Sequence, residues 1–69
     1  MREIDARGLS CPEPVMQVNM ALKAFPGEEL KILVSEAHSY HNVEDLLKDK
    51  KIAYEGKELE EHYEIIARP

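Results

Sequence analysis

The 69 residues contain one cysteine, Cys11, in the run Cys11-Pro12-Glu13-Pro14. Proline holds φ near the helical value and has no N–H to leave unpaired in a first turn, so Pro12 suits the first position of a helix. That predicts Cys11 at the N-cap, where free backbone N–H groups and the positive end of the helix dipole converge. Thiols in such settings have their pKa lowered from about 8.5 into about the 3.5–7.5 range, and the thiolate is the nucleophile. A free cysteine is often an inert small hydrophobe in a core. Here, however, Pro-Glu-Pro cannot continue a buried strand, and a strand-to-helix junction is usually a surface feature. The spacing points to a cysteine that attacks or carries a group.

Other residues whose types could act with Cys11 also have structural readings. Arg7 can add positive potential beside the sulfur, or spend its charge in a surface ion pair with Asp5 or Glu13. Glu13 opposes a thiolate by its charge while favouring the helix start. His38 and His41, three residues apart, would form with Cys11 a zinc set one ligand short. Alternatively they are exposed residues at a helix start, or one of them stabilises the thiolate or shuttles a proton. His62 reads as a surface strand residue.

A chain of this length is one domain, 1–69, and buries only about 60% of its unfolded surface. With one cysteine it has no intrachain disulfide and no repeated cysteine spacing for structural zinc, and an unpaired cysteine fits a reducing compartment. Arg2, Glu3 and Asp5 interrupt any apolar leader, and no apolar run approaches a membrane span. The expectation is a cytoplasmic protein with no membrane association. A formal net charge of −5 lacks the basic footprint of an autonomous nucleic-acid binder and leaves another protein as the expected partner. No cofactor is expected.

The elements that would position Cys11 follow from periodicity. Arg2 to Ala6 alternates as a short strand, with Ile4 and Ala6 on one face, and Gly8 breaks it. Helix spacing runs from Pro12 to Ala24, with Val15, Val18, Leu22 and Phe25 in one stripe widened by Ala21. Met16 and Met20 on its flank read as core filler. Pro26-Gly27 turns the chain. Leu30 to Val34 is a second strand, with Leu30, Ile32 and Val34 inward and the face of Lys31 and Leu33 at least partly wet. A loop, Ser35 to Ser39, leads to a helix from Ser39 or Tyr40 to Lys50. Ile52 to Arg68 reads as a hairpin with its turn between Gly56 and Glu61. The order strand–helix–strand–helix–strand–strand and a right-handed crossover predict an α+β, two-layer sandwich. Both helices would cover one face of a mixed four-stranded sheet. Cys11 and the segment Glu36–His41 would then share the edge at the carboxyl ends of the parallel strands.

The run Asp5-Ala6-Arg7-Gly8-Leu9-Ser10-Cys11-Pro12-Glu13-Pro14-Val15 closely resembles the N-terminal signature of the TusA/SirA-like sulfur carriers. The Pro26-Gly27-Glu28 turn and the strand Leu30–Val34 continue the likeness. It implies a βαβαββ sandwich similar to the C-terminal domain of translation initiation factor three. It also implies a persulfide on Cys11, with Arg7, Pro12, Glu13 and Pro14 as supporting motif residues. A cysteine desulfurase would be the donor and a downstream sulfur-acceptor protein the recipient, in tRNA thiolation, cofactor synthesis, sulfur oxidation or selenium metabolism. The chain differs from the family's usual pattern in carrying Ser35-Glu36-Ala37 in place of Asp-Asp-Pro, and Asn42 in place of a further aspartate.

A persulfide carrier needs an exposed nucleophilic sulfur and no resolving thiol, because a second cysteine would close a disulfide and release the cargo. The single cysteine meets the second condition and excludes an intramolecular dithiol oxidoreductase. Two other classes remain open at the level of sequence. One is a small regulatory or adaptor module that docks proteins without chemistry; the other is a Cys/His metal protein.

Overall fold

The computed structural model describes residues 1–10 and 12–69; Cys11 lies outside the described residues. Six elements follow in order: β1 (Arg2–Asp5), α1 (Glu13–Ala24), β2 (Leu30–Val34), α2 (Ala37–Asp49), β3 (Ala53–Glu58) and β4 (Tyr63–Arg68). Among the described residues they form one mixed sheet in the order β1-β2-β4-β3. β1 runs parallel to β2, and β4 is antiparallel to both of its neighbours. This is the expected βαβαββ sandwich.

The period-2 pattern of β2 sets the core. Leu30, Ile32 and Val34 are fully buried, and the register places Ile4 and Ile65 on either side of Ile32. Val18 of α1 and Val43 and Leu47 of α2 pack onto this row with Ala6 and Ala67. Leu33, on the opposite face, is also buried, at 5% exposure. Its strand is central, so both flanks are covered, while Lys31 on the same face pairs with Glu64 at 3.4 Å.

Several boundaries move from their expected places. α1 starts at Glu13, and Pro12 is its N-cap rather than its first helical residue. Pro14 takes the early position that suits proline and is buried in the core. Met16 and Met20 are 54% and 66% exposed, so they do not fill the core. Val18, Ala21 and Leu22 complete that side of α1 without them. α2 starts at Ala37, two residues ahead of the expected Ser39. Glu36 in extended conformation caps it, and Tyr40 N–H donates to the Glu36 carbonyl at 3.0 Å. Ser39 has the composition of an N-cap but is buried in the first turn.

α2 ends in a Schellman arrangement. Ile52 N–H donates to the Leu47 carbonyl and Lys51 N–H to that of Lys48, with Lys51 at φ 58° in the position that usually holds glycine. The final hairpin keeps Gly56 inside β3, and Leu59 N–H donates to the His62 carbonyl across the turn. Gly56 is required there because a Cβ would run into the Tyr40 hydroxyl, and the Tyr40 ring is stacked on Tyr63 at 5.0 Å between centroids.

Candidate functional site

The segment leading to Cys11 is held by the strand it leaves. Ala6 N–H still donates to the Leu33 carbonyl at 2.8 Å, one residue past β1. Gly8, at φ 80°, then turns the chain in a conformation that glycine adopts without steric cost. Its N–H donates to Ser35 Oγ at 2.8 Å. That bond ties the exit of β1 to the exit of β2, so the residues flanking Cys11 and the start of α2 share one edge of the sheet. Ser35 was not singled out in the sequence. A serine following a buried strand carries no signal of a cross-loop partner 27 positions away.

Arg7 is committed to Asp5. Its Nε and Nη2 donate to the two carboxylate oxygens at 2.9 and 2.8 Å, and its backbone N–H adds a third bond at 3.2 Å. These hydrogen bonds hold the Asp5 carboxyl at a pKa of about 2, and the same contact raises that of Arg7. Of the two readings of Arg7, the structure supports the ion pair with Asp5. Its charge is neutralised locally, which shapes the loop before Ser10 more than it adds net positive potential.

The start of α1 offers a dipole but few amide donors. Pro12 and Pro14 have no N–H, and Glu13 N–H is taken by the Ser10 carbonyl at 2.9 Å. Met16 N–H closes the first helical bond to Pro12 at 3.0 Å. An anion at this helix end is therefore stabilised by the aligned peptide dipoles and at most a small number of direct hydrogen bonds.

His38 and His41 both lie within α2, one turn apart and exposed. His38 Nδ1 is 3.5 Å from Glu36 and His41 Nδ1 is 3.0 Å from Glu44, which also accepts a bond from Tyr54 Oη at 3.1 Å. Each histidine thus has its own acidic neighbour. Among the described residues no group of three His, Cys, Asp or Glu side chains is placed to hold a metal ion. His62 is half-buried in the connection between β3 and β4.

Two surface grooves flank α1. The larger, about 540 Å³, runs between β1 and the middle and end of α1, over Ile4, Met20, Ala21 and Phe25. The smaller, about 350 Å³, lies between the start of α1 and one side of α2, lined by Pro12, Val15, Asn42, Asp45, Leu46 and Asp49. Only the second reaches the residue next to Cys11 in the chain.

Comparison with known proteins agrees with this arrangement. The model of the family described as sulfurtransferase TusA matches residues 2–68. Among solved structures, a SirA-like protein from Desulfitobacterium hafniense superposes with a TM-score of 0.92 at 27% identity, covering 99% of this chain and 96% of that one. No curated protein matches the chain. No helix among the described residues is long and apolar enough to cross a membrane. With the family signature matched from the first strand to the last and the fold shared with a SirA-like protein, the chain belongs to the TusA sulfurtransferase family.

Proposed function

We propose that this protein is a sulfur carrier that accepts persulfide sulfur on Cys11 from a cysteine desulfurase and relays it to a downstream acceptor protein. The observation that carries this reading is the family match over residues 2–68, with the run Cys11-Pro12-Glu13-Pro14 spanning the start of α1 in the sequence. The Cys11 thiolate attacks the terminal sulfur of the desulfurase persulfide. A new S–S bond forms on Cys11, the donor's S–S bond breaks, and the donor cysteine leaves as a thiolate. No external oxidant or reductant is consumed. In the second transfer an acceptor nucleophile takes the terminal sulfur and Cys11 leaves as a thiolate. The helix dipole favours the anion at both stages.

The roles of the surrounding residues follow from their bonds. Arg7 fixes the loop through Asp5. Pro12 and Pro14 set and anchor the helix start, and Glu13 joins it to Ser10 through its backbone N–H. The contacts of His38 and His41 are to Glu36 and Glu44, and a proton exchange between one of these histidines and the sulfur site belongs to the proposal rather than to those contacts. Incubation with a cysteine desulfurase and L-cysteine adds the mass of one sulfur to the intact protein, and a thiol reductant removes it. Cys11→Ser gains nothing. A wild-type protein that gains no sulfur from its host's desulfurases overturns the carrier reading in favour of an adaptor.

A further inference from the structure

We propose that the groove between the start of α1 and α2 docks a basic, apolar-anchored segment of the protein that exchanges sulfur with Cys11. The inference rests on the carrier reading and adds to it the surface that recognises the partner. Val15 and Leu46 form a half-buried apolar floor beside Pro12, and Asp45 and Asp49 form an exposed acidic wall. Four residues apart on one helix, the two aspartates stand about 6 Å apart along the axis. That suits two cations on an extended or helical partner segment.

Carboxylates without an ion pair occur elsewhere among the described residues, at Glu3, Glu58, Glu60 and Glu61, but those of this groove flank an apolar floor beside Pro12. Asp5, Glu28, Glu29, Glu55 and Glu64 are each matched by an arginine or lysine. Asp45 and Asp49 have no ion pair among the described residues, and neither has the adjacent Glu13. Carboxylates free of ion pairs are therefore gathered around an apolar floor next to the residue that follows Cys11, with Lys48, Lys50 and Lys51 beyond them at the end of α2. A cationic segment seated there gains charge complementarity and apolar burial together, and the field speeds its encounter. The same charge repels a phosphate backbone, which selects protein over nucleic acid as the occupant.

The test uses the full chain, its host's cysteine desulfurase at limiting concentration, and loading followed by intact mass. At low salt the Asp45→Lys/Asp49→Lys variant is expected to load at least about tenfold more slowly than wild type. The gap should close in about 1 M salt, where the Debye length falls to about 3 Å. Its Cys11 alkylation rate should match wild type, since the groove acts on docking rather than on the thiolate. Glu60→Lys/Glu61→Lys makes the same change in net charge in the β3–β4 connection and should load like wild type. Asp45→Asn/Asp49→Asn, which keeps side-chain shape, should fall between and serves if the lysine pair fails to fold. A groove variant that loads at the wild-type rate in low salt overturns the docking proposal alone, as does equal slowing of the Glu60/Glu61 variant. Failure of wild type to gain sulfur overturns the carrier reading and the docking with it.

Discussion

At the scale of single residues, the chemistry reduces to a sulfur and its electrostatic surroundings. The start of α1 supplies a dipole with few free N–H donors, and the Arg7 charge is matched by Asp5. The dipole is thus the contribution left to favour a thiolate, and alkylation of Cys11 as a function of pH should inflect below the free-thiol value of about 8.5. An inflection at or above it would remove the basis for an activated nucleophile. The Asp5 carboxyl gives a second expectation. Its pKa in the folded state, about 2, lies below its ordinary 3.8 because Arg7 hydrogen-bonds the ionised form. The stabilisation is thus complete above about pH 4 and is lost as pH falls through about 2. The pair is exposed, so the effect is small. Urea midpoints measured from pH 5 to pH 2 should fall less steeply for Asp5→Asn than for wild type; parallel curves would show that the pair does not contribute. The sequence left Arg7 with two roles because the direction of an arginine in a loop depends on the turn, and Gly8 with Ser35 sets that turn.

At the scale of elements, the hydrophobic periods located all six, and local bonding shifted their ends. The start of α2 was missed because Ser39 resembles a cap, whereas the helix is closed by backbone bonding from Tyr40 to Glu36. Gly56 bounds the span expected to hold the hairpin turn, but it lies inside β3 at the place where Tyr40 packs against the strand. A contact between residues 16 positions apart has no period to reveal it. Gly56→Ala should destabilise the fold by about 1–3 kcal/mol through overpacking, and Tyr40→Ala in the same chain should relieve the clash. Matching denaturation midpoints for Gly56→Ala and wild type would show that the Tyr40–Tyr63 stack yields freely. Lys51 provides the opposite case. An L-residue in the left-handed region is strained by roughly 1–2 kcal/mol relative to the ordinary helical region, and glycine occupies it without that cost. Lys51→Gly should raise stability by up to about 1 kcal/mol, with the flexibility of glycine in the unfolded chain offsetting the rest. A lower urea midpoint for this variant would mean that the Lys51 side chain makes a larger contribution than its backbone strain removes.

At the scale of the whole molecule, the sandwich was legible because 69 residues with four strand patterns and two helix patterns allow few layered arrangements. The distribution of charge over it was not, since pairing depends on which side chains the folded surface brings together. Of the nine Lys and Arg residues, four are engaged by carboxylates: Arg2 with Glu28, Arg7 with Asp5, Lys31 with Glu64, and Arg68 with Glu29 and Glu55. Lys48, Lys50 and Lys51 at the end of α2 form the densest remaining basic stretch, and Asp49 stands among them. Affinity for a phosphate backbone grows with the number of neutralised phosphates and the counterions they release, and this surface offers few such contacts against a net charge of −5. If the family's chemistry serves RNA here, sulfur should reach it through another protein. The isolated protein, with or without sulfur on Cys11, is expected to show no measurable binding to tRNA at physiological salt in a filter-binding titration. Micromolar affinity with a steep salt slope, abolished by Lys48→Glu/Lys51→Glu, would identify the α2 end as an RNA contact and overturn delivery through a protein acceptor.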